Sequence, residues 1–131
     1  MEMKVTFPGG KRVDAAFNGM SVATDQPAGS GGAGSAPTPF ELFQASLATC
    51  AGIFVLGFCQ SRGISTEGIE IRQVSTFDQV NHRLSKVEIK IDLPKSFPGK
   101  YKNAVIAAAD QCLVKRTVSD PPEMIVTAEV V

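Results

Sequence analysis

The sequence has no tryptophan, one histidine and one tyrosine, and its 13 Lys and Arg residues cancel its 13 Asp and Glu residues. Zero net charge removes the basic field on which nucleic-acid binding depends. The one histidine, His82, falls among polar residues in an expected turn, and no Cys-x-x-Cys pair exists, so no metal centre is expected. The same scarcity argues against a Cys–His hydrolase. No Gly-Lys-Ser/Thr ending marks a phosphate loop, and no cofactor is expected. The N-terminal residues Met1-Glu-Met-Lys-Val lack the apolar region and cleavage site of a signal peptide. Three cysteines without an export signal indicate reduced thiols in the cytoplasm.

What is present reads as one globular domain, with 44% apolar and 20% charged residues over 131 positions. Three short strands are expected in residues 3–24, joined by Pro8-Gly9-Gly10 and by the hairpin signal Asn18-Gly19. From residue 26 to 38 the chain is small, uncharged and Gly-rich, and reads as a flexible loop. Thr38-Pro39-Phe40-Glu41 then opens a helix: Thr38 as N-cap, Pro39 at the first helical position, Glu41 as the acid of a capping box. This helix is expected to run to about Arg62 and to close at Gly63. It contains Ala45–Cys59, fifteen residues without a formal charge. That run is short of the roughly 20 residues needed to cross a bilayer and is diluted by Ser46, Gly52 and Gly57. A core helix, apolar almost all round, is the expectation. One small sheet covers one side of it, so a second subunit is expected on the other. Strands over 67–77 and 83–93, a helix over about 100–115 and a closing strand over 124–131 complete the order. The second long strand alternates cleanly apart from a slip at Ser85-Lys86.

The cysteines hold the chemistry. Cys50 and Cys59 are nine residues apart on one helix, about 900° of rotation, and point to opposite sides. That leaves Cys50 with Cys112, which comes from the late helix, as the pair able to meet; Cys59 reads as a small buried hydrophobe. Cys50 is either inert filling or a nucleophile. Burial raises a thiol's pKa unless a cation offsets it, and a mid-helix position offers no dipole. The candidate cations are Lys11, Arg12, Lys115 and Arg116; the bland reading of each is a solvated surface charge.

Ser35-Ala-Pro-Thr-Pro-Phe-Glu-Leu-Phe-Gln-Ala-Ser-Leu-Ala-Thr-Cys50, followed by Arg62-Gly-Ile-Ser-Thr-Glu-Gly-Ile-Glu-Ile71 and a late Cys112 before a final strand, resembles the OsmC/Ohr family of osmotically inducible and organic hydroperoxide resistance proteins. The likeness spans residue 35 to the C-terminus. It implies an α+β fold, an intertwined homodimer with antiparallel sheets around long central helices. It also implies a peroxidatic Cys50 oxidised to a sulfenic acid by an organic hydroperoxide, a resolving Cys112, and regeneration by a dithiol reductant such as a lipoylated or thioredoxin-like protein. Arg12 is the nearest match to the family's activating arginine. The hydroperoxide-resistance branch places its glutamate where this chain has Phe40. Glu41 is one residue along and half a turn out of phase with Cys50. An apolar substrate pocket is expected from Phe40, Phe43, Leu47 and Phe54. The alternatives are a non-catalytic dimer binding a small apolar or thiol ligand, and a thiol-transfer protein using Cys50 alone. Neither nucleic acid nor membrane is an expected partner.

Overall fold

The computed structural model describes residues 1–131, which form two compact units, residues 1–45 and 46–131. In the first, β1 (Lys4–Gly9), β2 (Arg12–Phe17) and β3 (Met20–Val22) make an antiparallel meander in that order. Phe17 pairs with Met20 across a two-residue turn whose Asn18 and Gly19 have φ of 49° and 71°. Both values are left-handed, as the tightest hairpins require, which is why Asn-Gly signals them. The β1–β2 ladder shifts register between Thr6 and Gly9, around Pro8, which has no N–H to donate.

The stretch 26–38, expected to be flexible, is closed on itself by hydrogen bonds. The buried Asp25 carboxylate accepts the Gln26 N–H at 2.7 Å, the Ser35 N–H at 3.0 Å and the Ser35 hydroxyl at 2.6 Å. These donors, the Ser35 hydroxyl foremost, hold its carboxyl down at about 2. Ala28–Ser30 form a 3₁₀ turn, and the Gly34 N–H returns to the Gln26 carbonyl at 3.0 Å. A Cβ at Gly32 would lie 1.9 Å from that same carbonyl oxygen. Glycine here serves close packing, although its composition looks like a linker's.

Helix α1 (Pro39–Ser61) begins and ends as its sequence dictates. The Glu41 N–H donates to Thr38 Oγ1 at 3.1 Å and the Thr38 N–H to Glu41 Oε1 at 3.4 Å, the reciprocal capping box. Gly63 turns left-handed at φ 64°, and the Ile64 N–H reaches back to the Cys59 carbonyl at 2.9 Å. By length and composition α1 is apolar enough to cross a membrane. Its Leu47, Ala51, Val55, Phe58 and Cys59 are instead buried, as one stripe, in the second unit. The expectation of an apolar girdle is thus met by cover on one stripe only, and Ile53 stays 59% exposed.

In the second unit β4 (Glu70–Asp78) and β5 (Arg83–Asp92) form an antiparallel hairpin. Thr76 pairs with Lys86 but Phe77 pairs with Leu84, so Ser85 is bulged out, and its hydroxyl donates to the Thr76 carbonyl at 3.0 Å. The broken alternation at Ser85-Lys86 is this bulge. Ala51, Val55, Phe58 and Cys59 of α1 pack with Phe97 and with Val105 and Ala109 of α2 (Lys102–Ala109), flanked by Ile71, Ile89 and Ile91 of the hairpin.

Two expectations are corrected. The helix expected over 100–115 is broken: a 3₁₀ turn at Gly99–Tyr101 leads into α2, and α3 (Leu113–Ser119) starts anew after Cys112. No glycine or proline lies between, so the sequence carries no breaker. The closing strand expected over 124–131 does not form; Met124, Ile125 and Val126 are exposed. Their alternation suits a strand, but a strand exists only against a paired edge, and the segment pairs with none.

Candidate active site

Cys50 lies on α1 within the second unit and is half-buried, whereas Cys112 is buried. The break between α2 and α3 brings them together. Cys112 has φ −51° and ψ 122°, extended backbone that halts one helix and caps the next. Its Sγ accepts the Lys115 N–H at 3.3 Å, the role usually taken by Ser, Thr, Asp or Asn. The first amides of a helix have no partner in the helix itself. Those of Val114 and Leu113 come up beside Cys50, and with the Cys112 thiol they act on its sulfur. The Cys50 pKa is lowered, with the Val114 amide the largest cause, since each such donor favours thiolate over thiol. Burial pushes the Cys112 thiol up, and donating to Cys50 holds its proton further. The Leu47 carbonyl oxygen, 4.0 Å from Cys112 Sγ, is a second acceptor within reach. Both sulfurs are free thiols. The two shifts are opposed: Cys50 favours its thiolate more than an ordinary cysteine does, and Cys112 less.

Beside Cys112 a cavity of about 760 Å³ opens between α1, β5 and α2. Leu47, Ala51, Val87, Ile89, Ile91 and Ile106 give it an apolar wall, with Glu88, Asp110 and Lys115 among its polar members. Its volume falls in the range of small-molecule sites. Of the four residues expected to line a substrate pocket, Leu47 is in this wall. Phe54 is half-buried on α1 and outside it. Phe40 and Phe43 belong to the first unit, where their rings stack at 6.1 Å between centroids. Arg12 and Glu41 also belong to that unit. The Arg12 guanidinium donates to Asp14 at 2.7 Å, and Glu41 is engaged in the capping box. Of the two candidate cations in the second unit, Lys115 contributes a backbone N–H to Cys112 Sγ while its ammonium pairs with Asp110, and the Arg116 N–H donates to the Cys112 carbonyl at 3.0 Å.

A sequence model of OsmC-like proteins matches residues 32–127. The chain belongs to the OsmC-like family. Among solved structures it is similar to a protein from Psychrobacter arcticus 273-4 named for osmotic stress induction and detoxification response. The two are 25% identical with a TM-score of 0.74, over 88% of this chain and 85% of that one. An OsmC-like protein from Mycoplasma pneumoniae shares the fold at 11% identity, with a TM-score of 0.70 over 92% and 87% of the two chains. So does the organic hydroperoxide resistance protein OhrB of Bacillus subtilis, at 21% identity and a TM-score of 0.52 over 89% and 90%. No curated protein matches the sequence. The α+β architecture of mixed helices and antiparallel sheet is that of OsmC-like proteins.

Within this OsmC-like chain, sequence reasoning missed Leu113 and Val114, because they act through backbone amides that any residue carries. Spacing could not reveal them: the donors reach Cys50 across more than sixty residues, through a helix break without a breaker residue.

Proposed function

We propose that this OsmC-like protein is a thiol-dependent peroxidase that reduces organic hydroperoxides. The reading is carried by the half-buried Cys50, whose pKa the Val114 and Leu113 amides lower, next to Cys112, whose thiol burial pushes up. The Cys50 thiolate attacks the outer oxygen of ROOH; the O–O bond breaks, S–O forms, and the departing alkoxide takes a proton to leave as ROH. Cys112 then attacks the sulfenic sulfur, forming the S–S bond and releasing water. Two electrons from a dithiol, of lipoylated or thioredoxin-like type, restore both thiols. The apolar cavity suits hydroperoxides with apolar tails over hydrogen peroxide. The working form is a cytoplasmic homodimer, which would cover the α1 face that a single chain leaves in solvent.

One equivalent of cumene hydroperoxide should consume two thiols together in the parent protein, and none quickly in Cys50→Ser. Unchanged thiols in the parent would end this reading. The cavity also supports a second one, a dimer that binds a small apolar or thiol ligand without turnover. Saturable binding of a non-peroxide apolar ligand, with no thiol lost to cumene hydroperoxide, would favour it.

A further inference from the structure

Asp110, Gln111 and Cys112 separate α2 from α3 without glycine or proline, so something other than backbone propensity keeps the helices apart. In one unbroken helix, residues five apart are rotated by about 500°, roughly 140° from alignment, and their side chains face different ways. Asp110 and Lys115 are five apart, yet Lys115 Nζ donates to Asp110 Oδ1. This ion pair therefore depends on the bend. It is a contact that the broken form makes and a continuous helix would lose, which is the condition for biasing one against the other. The consequence for Cys50 is direct. In a continuous helix the amides of Leu113 and Val114 would close onto the carbonyls of Ala109 and Asp110. In the broken form they open a new helix with no carbonyl of α2 to close onto, and they lower the Cys50 pKa.

We propose that Asp110 and Lys115 are positioning residues for Cys50: their ion pair holds the α2–α3 break open, so that the Leu113 and Val114 amides stay with its sulfur. The proposal rests on Cys50 being the reactive thiol, but its test needs no peroxide. The groups near the sulfur pair are the Cys112 thiol, the three amides from 113 to 115 and, around the adjoining cavity, Glu88, Asp110 and Lys115.

The test is iodoacetamide alkylation of Cys50 across pH 5 to 10, followed by peptide mass spectrometry on the full chain. The variants are Asp110→Asn, Lys115→Met, Lys115→Arg and the exchange Asp110→Lys/Lys115→Asp. Both single losses should move the alkylation midpoint upward and slow Cys50 alkylation at neutral pH by about two- to fivefold, the range an exposed ion pair supports. Lys115→Arg and the exchange should return it toward the parent, and thermal melts should show all variants folded. A charge acting through space would give opposite signs: removing the Asp110 carboxylate would lower the midpoint while removing the Lys115 ammonium raised it. Opposite signs, no shift in either variant, or an exchange that fails to restore the parent profile would overturn the proposal. Same-sign shifts in a protein that loses no thiol to cumene hydroperoxide would uphold the positioning role and remove the peroxidase reading alone.

Discussion

Cys50 and Cys112 are neighbours whose protons are held differently, and the difference lies in what points at each sulfur. The Val114 amide, the Cys112 thiol and the Leu113 amide lower the Cys50 pKa; at Cys112 deeper burial outweighs the Lys115 and Val114 amides. A folded pKa below the ordinary thiol value means that Cys50 is more thiolate at neutral pH than a free cysteine. Its alkylation should fall off only as the pH drops through that lowered value. Cys112 has two separable duties, capping α3 and donating to Cys50. Serine keeps both, being a good N-cap and a donor, whereas alanine keeps neither. Cys112→Ser should therefore alkylate at Cys50 with nearly the parent's pH profile. Cys112→Ala should be slowed about tenfold at neutral pH, in keeping with a lost cap and a lost hydrogen bond to a charged group. Equal profiles for the two variants would show that neither duty supports the thiolate.

At the scale of elements, what the sequence revealed was whatever depends on near neighbours. The Thr38–Glu41 box, the Gly63 cap, the Asn18-Gly19 turn and the Ser85 bulge each involve a few consecutive residues, and each was readable. Cys50 and Cys112 were paired by elimination on the assumption of two packed helices, whereas Cys112 lies at a helix break. The α2–α3 break and the ordered stretch after Asp25 were not readable, since both are held by partners whose residue types signal nothing: backbone amides in one case, small residues around a carboxylate in the other. The Asp25 anchor has a pH signature. Its carboxyl is held at about 2 against an ordinary value of 3.8. The stabilisation it gives is fully present above about 3.8 and is lost as the pH falls through about 2. The parent should resist urea better than Asp25→Asn at pH 5 and lose that advantage as the pH approaches 2. A gap in urea midpoint that stays constant over this range would show that the charged carboxylate is not the anchor.

Over the whole molecule, apolar surface is left in water that a folded chain of this size normally covers. Ile53 on α1 is 59% exposed, Phe7 on β1 81%, and Val126 near the C-terminus 97%. The proposed homodimer would cover the exposed face of α1 on which Ile53 lies, since exposed apolar faces mark interfaces. Sedimentation equilibrium should find a dimer for the parent. Ile53→Glu should shift it toward monomer by about tenfold or more in dissociation constant, since a charge would be forced into an apolar contact. A parent that stays monomeric at high concentration would remove the dimer. The segment from Met124 to Val131 carries the matter further. If the partner copy of the proposed dimer supplies the edge that this stretch lacks, robustness becomes a question of mass action. Dilute protein would then be weaker protein, and a newly made copy would complete its fold only on meeting another.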